Sequence, residues 1–320
     1  MASAKDLSSQ VFWLSFYVCG VIGMLLVYGL MQERIMQRPY SGEVFSQTHS
    51  VLFLVLLIRG AGAIFALFVA GTTGENLVNG AEMWKYLCVA LALVASGICS
   101  YGAIRYVSFG VQALGKSFKM MPVMLWSLAI SGKRYGLADW VVSTLVTGGG
   151  TEFMLTGPTA SSNSMGSSVW GLLLLVGAIM MDGFTLSMQE KIFVENKTTK
   201  YNQMMYVNGM AALVALCTLV LSGELVPALR FSFSHSNFLR DAISLSAAFV
   251  GAQYFKYSLV KEFGALVFAA SMNFRQVLSI LASYVAYHHH LTAAQGVGLT
   301  AVFGALLYRS AANLAAPKDA

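Results

Sequence analysis

The sequence has few charged residues and few cysteines. Asp, Glu, Lys and Arg make up 11% of the 320 residues, whereas soluble globular chains carry roughly 25%. This shortage argues against an ordinary water-soluble domain, and no nucleic-acid partner is expected. The four cysteines, Cys19, Cys88, Cys99 and Cys217, all fall inside apolar runs. Neither a disulfide framework nor a CxxC metal site is therefore indicated.

The sequence also lacks the residue sets that common enzymes use. The apolar runs contain no paired acids, no Ser/His/Asp set and no ligands at metal spacing, so catalytic residues, a cofactor and a bound metal are not expected. The cluster His288-His289-His290 is interpreted as a polar turn, with a metal or pH-sensing role as the weaker alternative.

One pattern imitates a nucleotide-hydrolysing site. Residues 110–117 match the Walker A motif letter by letter. That motif requires a preceding strand and a loop whose amides wrap the phosphates, whereas these residues fall within an apolar run that we expect to be helical. Hydrolysis is therefore not predicted.

The sequence is rich in long runs of hydrophobic residues. Hydrophobic residues make up 57% of the chain and its mean hydropathy is +0.67. A membrane span needs about 20 mostly apolar residues, and this rule predicts an all-α integral membrane protein of ten transmembrane helices. The predicted spans are 11–31, 48–70, 84–104, 109–131, 136–157, 168–188, 203–222, 241–260, 264–287 and 291–309.

The basic residues predict the orientation of these spans. With ten spans, eleven of the twenty Lys and Arg lie on the side of the termini, five lie on the opposite side and four fall inside spans. By the positive-inside rule both termini are cytosolic. The glycosylation pattern Asn196-Lys197-Thr198 would then face the cytosol and stay unmodified.

An internal repeat divides the chain. The segment Met31-Gln32-Glu33-Arg34-Ile35 ends the first span and Met188-Gln189-Glu190-Lys191-Ile192 ends the sixth. Lys119 and Arg275, each followed by a mostly apolar run, are separated by nearly the same number of residues as these two segments. The repeat predicts two five-helix halves, 1–158 and 159–320, within one transmembrane domain. An odd number of spans inverts the second half, as in many secondary transporters. A receptor or scaffold remains the alternative.

Four cations fall inside predicted spans: Arg59, Lys116, Lys119 and Arg275. Each costs about 2.5–3.5 kcal/mol at the bilayer centre on insertion scales, so we expect them to face a wet cavity or partners. The intramembrane carboxylate, Asp182, could pair with a cation, but the net positive charge favours an anionic ligand. For Arg59, pairing and ligand contact are equally favoured.

Several polar residues complete the predicted site. Gln112 shares a helical stripe with Lys116, and Gln276 and Gln253 are further predicted ligand contacts. Gln32, Glu33, Gln189 and Glu190, at the two repeated span ends, are predicted to belong to opposing gates in which the glutamates pair with cations. Exposed helix-end pairs of little energetic weight are the alternative for these glutamates.

The chain resembles the nucleotide-sugar transporter family, which has the drug and metabolite transporter fold, and within it the Golgi carriers of 3'-phosphoadenosine 5'-phosphosulfate (PAPS). The pieces that carry the resemblance are 32–36, 106–109, 112–125, 182–185, 263–281 and 302–307. Gly110-Val111, Ser187-Met188 and Lys256 depart from the family pattern.

The resemblance implies an antiporter, not an enzyme, that imports PAPS into the Golgi lumen in exchange for a nucleotide. It also implies that Lys116, Lys119 and Arg275 contact phosphate. Members that carry UDP-galactose or UDP-glucose, or exchange ATP for ADP across the endoplasmic reticulum membrane, are the alternatives. Charge favours the adenine nucleotides.

Overall fold

A computed structural model describes residues 4–43, 45, 51–75, 78, 80–104, 106, 118–155, 169–272, 274–275, 296–298, 300–301, 304–305 and 308. Within these residues the regular structure is helical, with a single isolated bridge between Tyr40 and Glu43. The side chains of some helical residues, Glu33 among them, lie outside this description.

The helices named here are α1 to α9. Their bounds are Ala4–Gln37 (α1), Leu52–Thr73 (α2), Met83–Ile104 (α3), Met120–Ser131 (α4), Leu137–Leu155 (α5), Val169–Asn196 (α6), Lys200–Leu221 (α7), Leu225–Ser234 (α8) and Ser236–Phe263 (α9). Residues 265–272 are also helical.

Five stretches within these helices are long and apolar enough to cross a membrane: Ser8–Gln32, Leu52–Thr73, Met83–Ser100, Val169–Asn196 and Lys200–Leu221. Their outward side chains are apolar, with Ile64 and Phe68 on α2 each 68% exposed. Such surfaces suit a lipid environment. The all-helical membrane class is therefore confirmed for the described residues, while the ten-helix inverted repeat stays a prediction.

Two differences from the sequence-based spans concern element boundaries. The structure has a short amphipathic helix, α8, where only a connection was expected; its Ala228 and Phe231 are buried. The fourth predicted span is described from Phe118 onward, and its helix α4 begins at Met120. The Walker A letters at 110–117, the histidines at 288–290 and most of the last two predicted spans lie outside the described residues.

The chain forms two compact units. Unit 1 comprises Met1–Val11, Ala95–Met188 and Phe263–Ala320, and unit 2 comprises Phe12–Val94 and Gln189–Glu262. Each unit draws on both halves of the sequence, so the units do not coincide with the predicted repeat halves. The repeat boundary itself stays a prediction.

In unit 2, α2 packs along α7 through small residues. Gly62, Ala66 and Ala70 are buried on α2, and Ala211 and Ala215 are buried on α7. Small side chains four residues apart let helix backbones approach closely, which is how membrane helices gain van der Waals contact. This packing fixes the positions of Arg59 on α2 and Asn208 on α7.

Candidate functional site

Unit 1 contains an ion pair between Lys119, the residue before α4, and Asp182 on α6. Lys119 Nζ donates to Asp182 Oδ2 at 2.8 Å, and Ser96 Oγ on α3 donates to the other carboxylate oxygen at 2.6 Å. Both oxygens of Asp182 are therefore engaged. The side chains of Lys119 and Asp182 remain 19% and 33% exposed, so the pair is only partly buried.

Close packing between α4 and α6, which we call the α4–α6 seam, holds this pair. A Cβ atom added at Gly183 would lie 2.7 Å from Pro122 Cβ and 2.9 Å from the Pro122 carbonyl carbon. One turn further along, Ser187 Oγ donates to the carbonyl oxygen of Val123 at 3.0 Å. Trp126 Nε1 donates to the carbonyl oxygen of Met180 at 3.0 Å. The two helices therefore cannot shift independently near the ion pair.

Arg275 also belongs to unit 1, on the helical segment that follows Phe263. Ala265 and Ala269 on this segment are fully buried. The Nε atom of Arg275 is buried and has no hydrogen-bond partner among the described residues. A buried guanidinium N–H without an acceptor costs free energy, and a ligand oxygen would supply that acceptor.

Unit 2 holds its cation differently. Arg59 Nη1 donates to Asn208 Oδ1 at 3.0 Å, and the guanidinium carbon lies 4.9 Å from the centre of the Phe249 ring. An amide oxygen and an aromatic face both attract a cation, yet neither carries a net charge. These contacts orient Arg59 without adding an opposing charge.

Buried amides surround that part of unit 2. Gln189 Nε2 donates to Tyr257 Oη at 3.1 Å, and Gln203 Nε2 donates to the carbonyl oxygen of Gln189 at 2.9 Å. The Oε1 atoms of Gln189, Gln203 and Gln253 are buried, and none has a hydrogen-bond partner among the described residues. The unit thus offers acceptors as well as a cation.

A third charged cluster lies at the end of α1. Arg34 Nε lies 2.9 Å from Asp241 Oδ2, and the Tyr40 hydroxyl donates to the same oxygen at 3.0 Å. Burial, followed by the hydrogen bond to Asp241, raises the pKa of Tyr40 to about 12. Tyr40 therefore stays a neutral donor at physiological pH. Asp241 is buried on α9, and Tyr40 belongs to a buried aromatic cluster that includes Phe231 and Phe238.

The predicted site residues are only partly visible. Lys116, Gln112 and Gln276 lie outside the described residues, as does the side chain of Glu33. Gln32 lies on α1, and Glu190 is buried on α6. The structure brings Lys119 to Asp182, and Arg59 to Asn208. No group of three or more metal-ligating side chains occurs in the described part of the chain.

Sequence reasoning missed four residues that complete these clusters: Ser96, Asn208, Tyr40 and Asp241. Asp241 and Arg34 had opposite charges at span ends predicted to lie on the same side of the membrane, so that pair could have been found. Ser96 and Asn208 carry no such signal because single polar residues in apolar runs have many possible partners.

Comparison with known proteins identifies the family. A model of the UAA transporter family matches residues 14–313. The chain is 40% identical to adenosine 3'-phospho 5'-phosphosulfate transporter 1 of Dictyostelium discoideum, covering 91% of this chain and 81% of the relative. It is 34% identical to the human transporter of that name, covering 94% and 70%.

A plant relative and a solved structure agree with this match. UDP-galactose/UDP-glucose transporter 5 of Arabidopsis thaliana is 35% identical, covering 95% of this chain and 88% of the relative. A crystal structure at 13% identity superposes with a TM-score of 0.66, covering 95% of this chain and 99% of the other, a likeness of fold alone. The chain belongs to the UAA transporter family.

Proposed function

We propose that the protein is an antiporter that carries PAPS across the Golgi membrane in exchange for a nucleotide. The observation that carries this proposal is the buried, unpartnered Nε of Arg275. A planar guanidinium whose Nε–H lacks an acceptor matches the oxygens of a phosphate or sulfate. Relatives at 40% and 34% identity that are named for PAPS support the same substrate.

The other cations strengthen the case for a multiply charged anion. Lys119 lies at the N-terminus of α4, where the helix dipole also favours an anion. Arg59 is oriented by an amide and a ring. A phosphate-rich ligand would repay the cost of holding these charges in a membrane. Lys116, Gln112, Gln276 and Gln253 complete the proposed contacts.

Contacts within unit 2 support the proposed topology. Arg34 at the end of α1 meets Asp241 near the start of α9, and Lys85 at the start of α3 lies 3.4 Å from Asn196 Oδ1 at the end of α6. Each pair joins two helix ends that the ten-span arrangement puts on the same side of the membrane. We propose cytosolic termini, with Asn196 on the cytosolic side. A glycan on Asn196 in cells would contradict this orientation.

Exchange requires two gates that do not open together. We propose Glu33 and Gln32 for the luminal gate and Glu190 and Gln189 for the cytosolic gate, because the inverted repeat puts these span ends at opposite mouths. Glu33→Gln and Glu190→Gln should bias the carrier in opposite directions. Cysteine labelling from each side of oriented vesicles measures that bias, and equal labelling in both variants and wild type would contradict it.

UDP-galactose or UDP-glucose is the second candidate substrate, favoured by the plant relative at 35% identity. An ATP/ADP exchange in the endoplasmic reticulum is the third. Buried acceptors such as Gln203 Oε1 suit an adenine amino group and a uracil N–H alike, so the base does not decide between them. The number of anionic oxygens favours PAPS and ATP.

Uptake by purified protein in liposomes tests these candidates. Vesicles preloaded with adenosine 3',5'-bisphosphate, AMP, ADP or UMP are supplied with labelled PAPS, ATP or UDP-galactose, and empty vesicles serve as the control. We expect PAPS uptake that depends on a preloaded adenine nucleotide. Preferential UDP-galactose uptake into UMP-loaded vesicles would replace PAPS by the second candidate, and no uptake of any nucleotide would overturn a transport function.

A further inference from the structure

Asp182 occupies the position that a ligand anion requires. Its Oδ2 atom accepts from Lys119 Nζ at 2.8 Å, and Lys119 precedes the first residue of α4. A lysine ammonium group favours an oxyanion partner, whether a carboxylate or a phosphate. The protein therefore carries one oxyanion of its own at a place suited to a phosphate.

We propose that Asp182 is a built-in competitor of the transported anion: it holds Lys119 while the carrier is empty and yields Lys119 to a substrate phosphate. This inference rests on the proposed function, and it deepens that function by assigning a residue that sets substrate affinity. The occupant of the site is an organic phosphate with several negative charges. Asp182 is a positioning residue because it acts through Lys119.

The α4–α6 seam determines how the exchange of partners takes place. Gly183 packs against Pro122, so neither helix backbone can carry its charge away. Lys119 has four rotatable side-chain bonds and can redirect its ammonium group without moving α4. The partner switch is then a side-chain rotation on a rigid base.

Ser96 keeps the carboxylate in place during that switch. Its hydroxyl is buried at 5% exposure and donates to Asp182 Oδ1. When Lys119 turns to the substrate, Asp182 keeps this hydrogen bond while its ion pair with Lys119 is broken. Breaking the ion pair costs free energy that the phosphate contact must offset, which weakens net binding and speeds release. An exchanger benefits because a ligand held too tightly blocks turnover.

Neutralising Asp182 should therefore strengthen binding while slowing transport. In proteoliposomes we expect Asp182→Asn to lower the apparent KM for PAPS about tenfold and to lower Vmax as well. The gain in affinity should be larger for PAPS than for UDP-galactose, which carries fewer anionic oxygens. Asp182→Glu keeps the charge and should stay close to wild type.

A double-mutant cycle separates this role from simple structural support. In the Lys119→Met background, Asp182→Asn should lower the KM for PAPS much less than tenfold, because most of the gain in affinity requires a freed Lys119. Asp139→Asn is the matched control: Asp139 Oδ2 accepts from the backbone N–H of Gly136 at 3.0 Å, and the asparagine side-chain oxygen can accept the same hydrogen bond. Its KM should not change.

A second variant covers the case in which Asp182→Asn does not fold. Ser96→Ala removes one hydrogen bond from Asp182, so the carboxylate should hold Lys119 more tightly and the KM for PAPS should rise about threefold. An unchanged KM in folded Asp182→Asn, or in Ser96→Ala if the former does not fold, overturns the competitor role. If wild-type protein carries no nucleotide, the proposed function itself fails, and the two failures are thereby distinguished.

Discussion

The two units hold their intramembrane cations by different chemistry. In unit 1 Lys119 faces a carboxylate, Asp182, at 2.8 Å. In unit 2 Arg59 faces an amide oxygen at 3.0 Å and an aromatic ring. Carboxylate pairing cancels charge, whereas an amide and a ring orient a cation and leave its charge in the membrane. Variants in the first pair should therefore change affinity through charge, and variants in the second through orientation.

The largest expected effect comes from removing the cation of unit 1. Lys119→Met deletes a charge-assisted phosphate contact, a loss of about 3 kcal/mol in binding, so exchange should fall about 100-fold. Arg59→Met removes the contacts to Asn208 and Phe249, neither of which carries a net charge, and should cost less. Initial exchange rates, normalised to folded protein by gel filtration, measure both. Equal losses would remove the distinction between the units.

Two glycine substitutions compare the rigidity around the two cations. Gly183→Ala forces a methyl group against the Pro122 backbone and should destabilise the protein by about 1–3 kcal/mol. Gly62→Ala meets the terminal amide of Asn208 at 3.0 Å, a side chain that can turn aside, and should cost less. Thermal unfolding in detergent measures both, and a more damaging Gly62→Ala would contradict this ranking.

Arginine and lysine should not be interchangeable in unit 2. Arg59→Lys keeps the charge but loses the planar group that spans Asn208 and Phe249, and we expect exchange to fall about tenfold. Lys119→Arg keeps a group able to pair with Asp182 and should reduce exchange by about threefold or less. A reversed order in the same liposome assay would mean that orientation matters more in unit 1.

The smallest effect should come from Tyr40, outside both cation sites. Tyr40→Phe removes one hydrogen bond to Asp241 and should cost about 1 kcal/mol. The pKa of Tyr40 is raised from its ordinary value near 10 to about 12, so its contribution is complete below pH 10 and disappears as the pH rises toward 12. Melting temperatures at pH 6 and pH 9 should therefore differ from wild type equally; a difference confined to one pH would contradict this.

The lengths of the apolar runs predicted the bounds of most of the described helices to within a few residues, because a span must cover a fixed hydrocarbon thickness. The predicted spans 84–104 and 203–222 correspond to α3 at Met83–Ile104 and α7 at Lys200–Leu221. Helix α8 was missed because ten residues with alternating character are too short for a span. Its Ala228 and Phe231, three residues apart, were the available signal.

The candidate site was less predictable than the helices. The cost of charge in lipid identifies Lys119, Arg275 and Arg59 from sequence alone. Partner choice depends on which helix faces meet, and Arg59 and Asn208 are separated by 149 residues. Spacing along one helix carries no information about such a contact. The sequence therefore predicted which cations matter but left open whether Arg59 has a protein partner. The structure shows that Asn208 is such a partner.

The cluster at the end of α1 constrains the order in which the protein can assemble during synthesis. Tyr40 and Asp241 are 201 residues apart in the chain. At about 5–20 residues per second, the ribosome produces Asp241 roughly 10–40 s after Tyr40. Throughout that interval Arg34 and Tyr40 lack the Asp241 carboxylate as a partner. A nascent chain released before residue 241 would therefore lack the carboxylate that joins Arg34 and Tyr40.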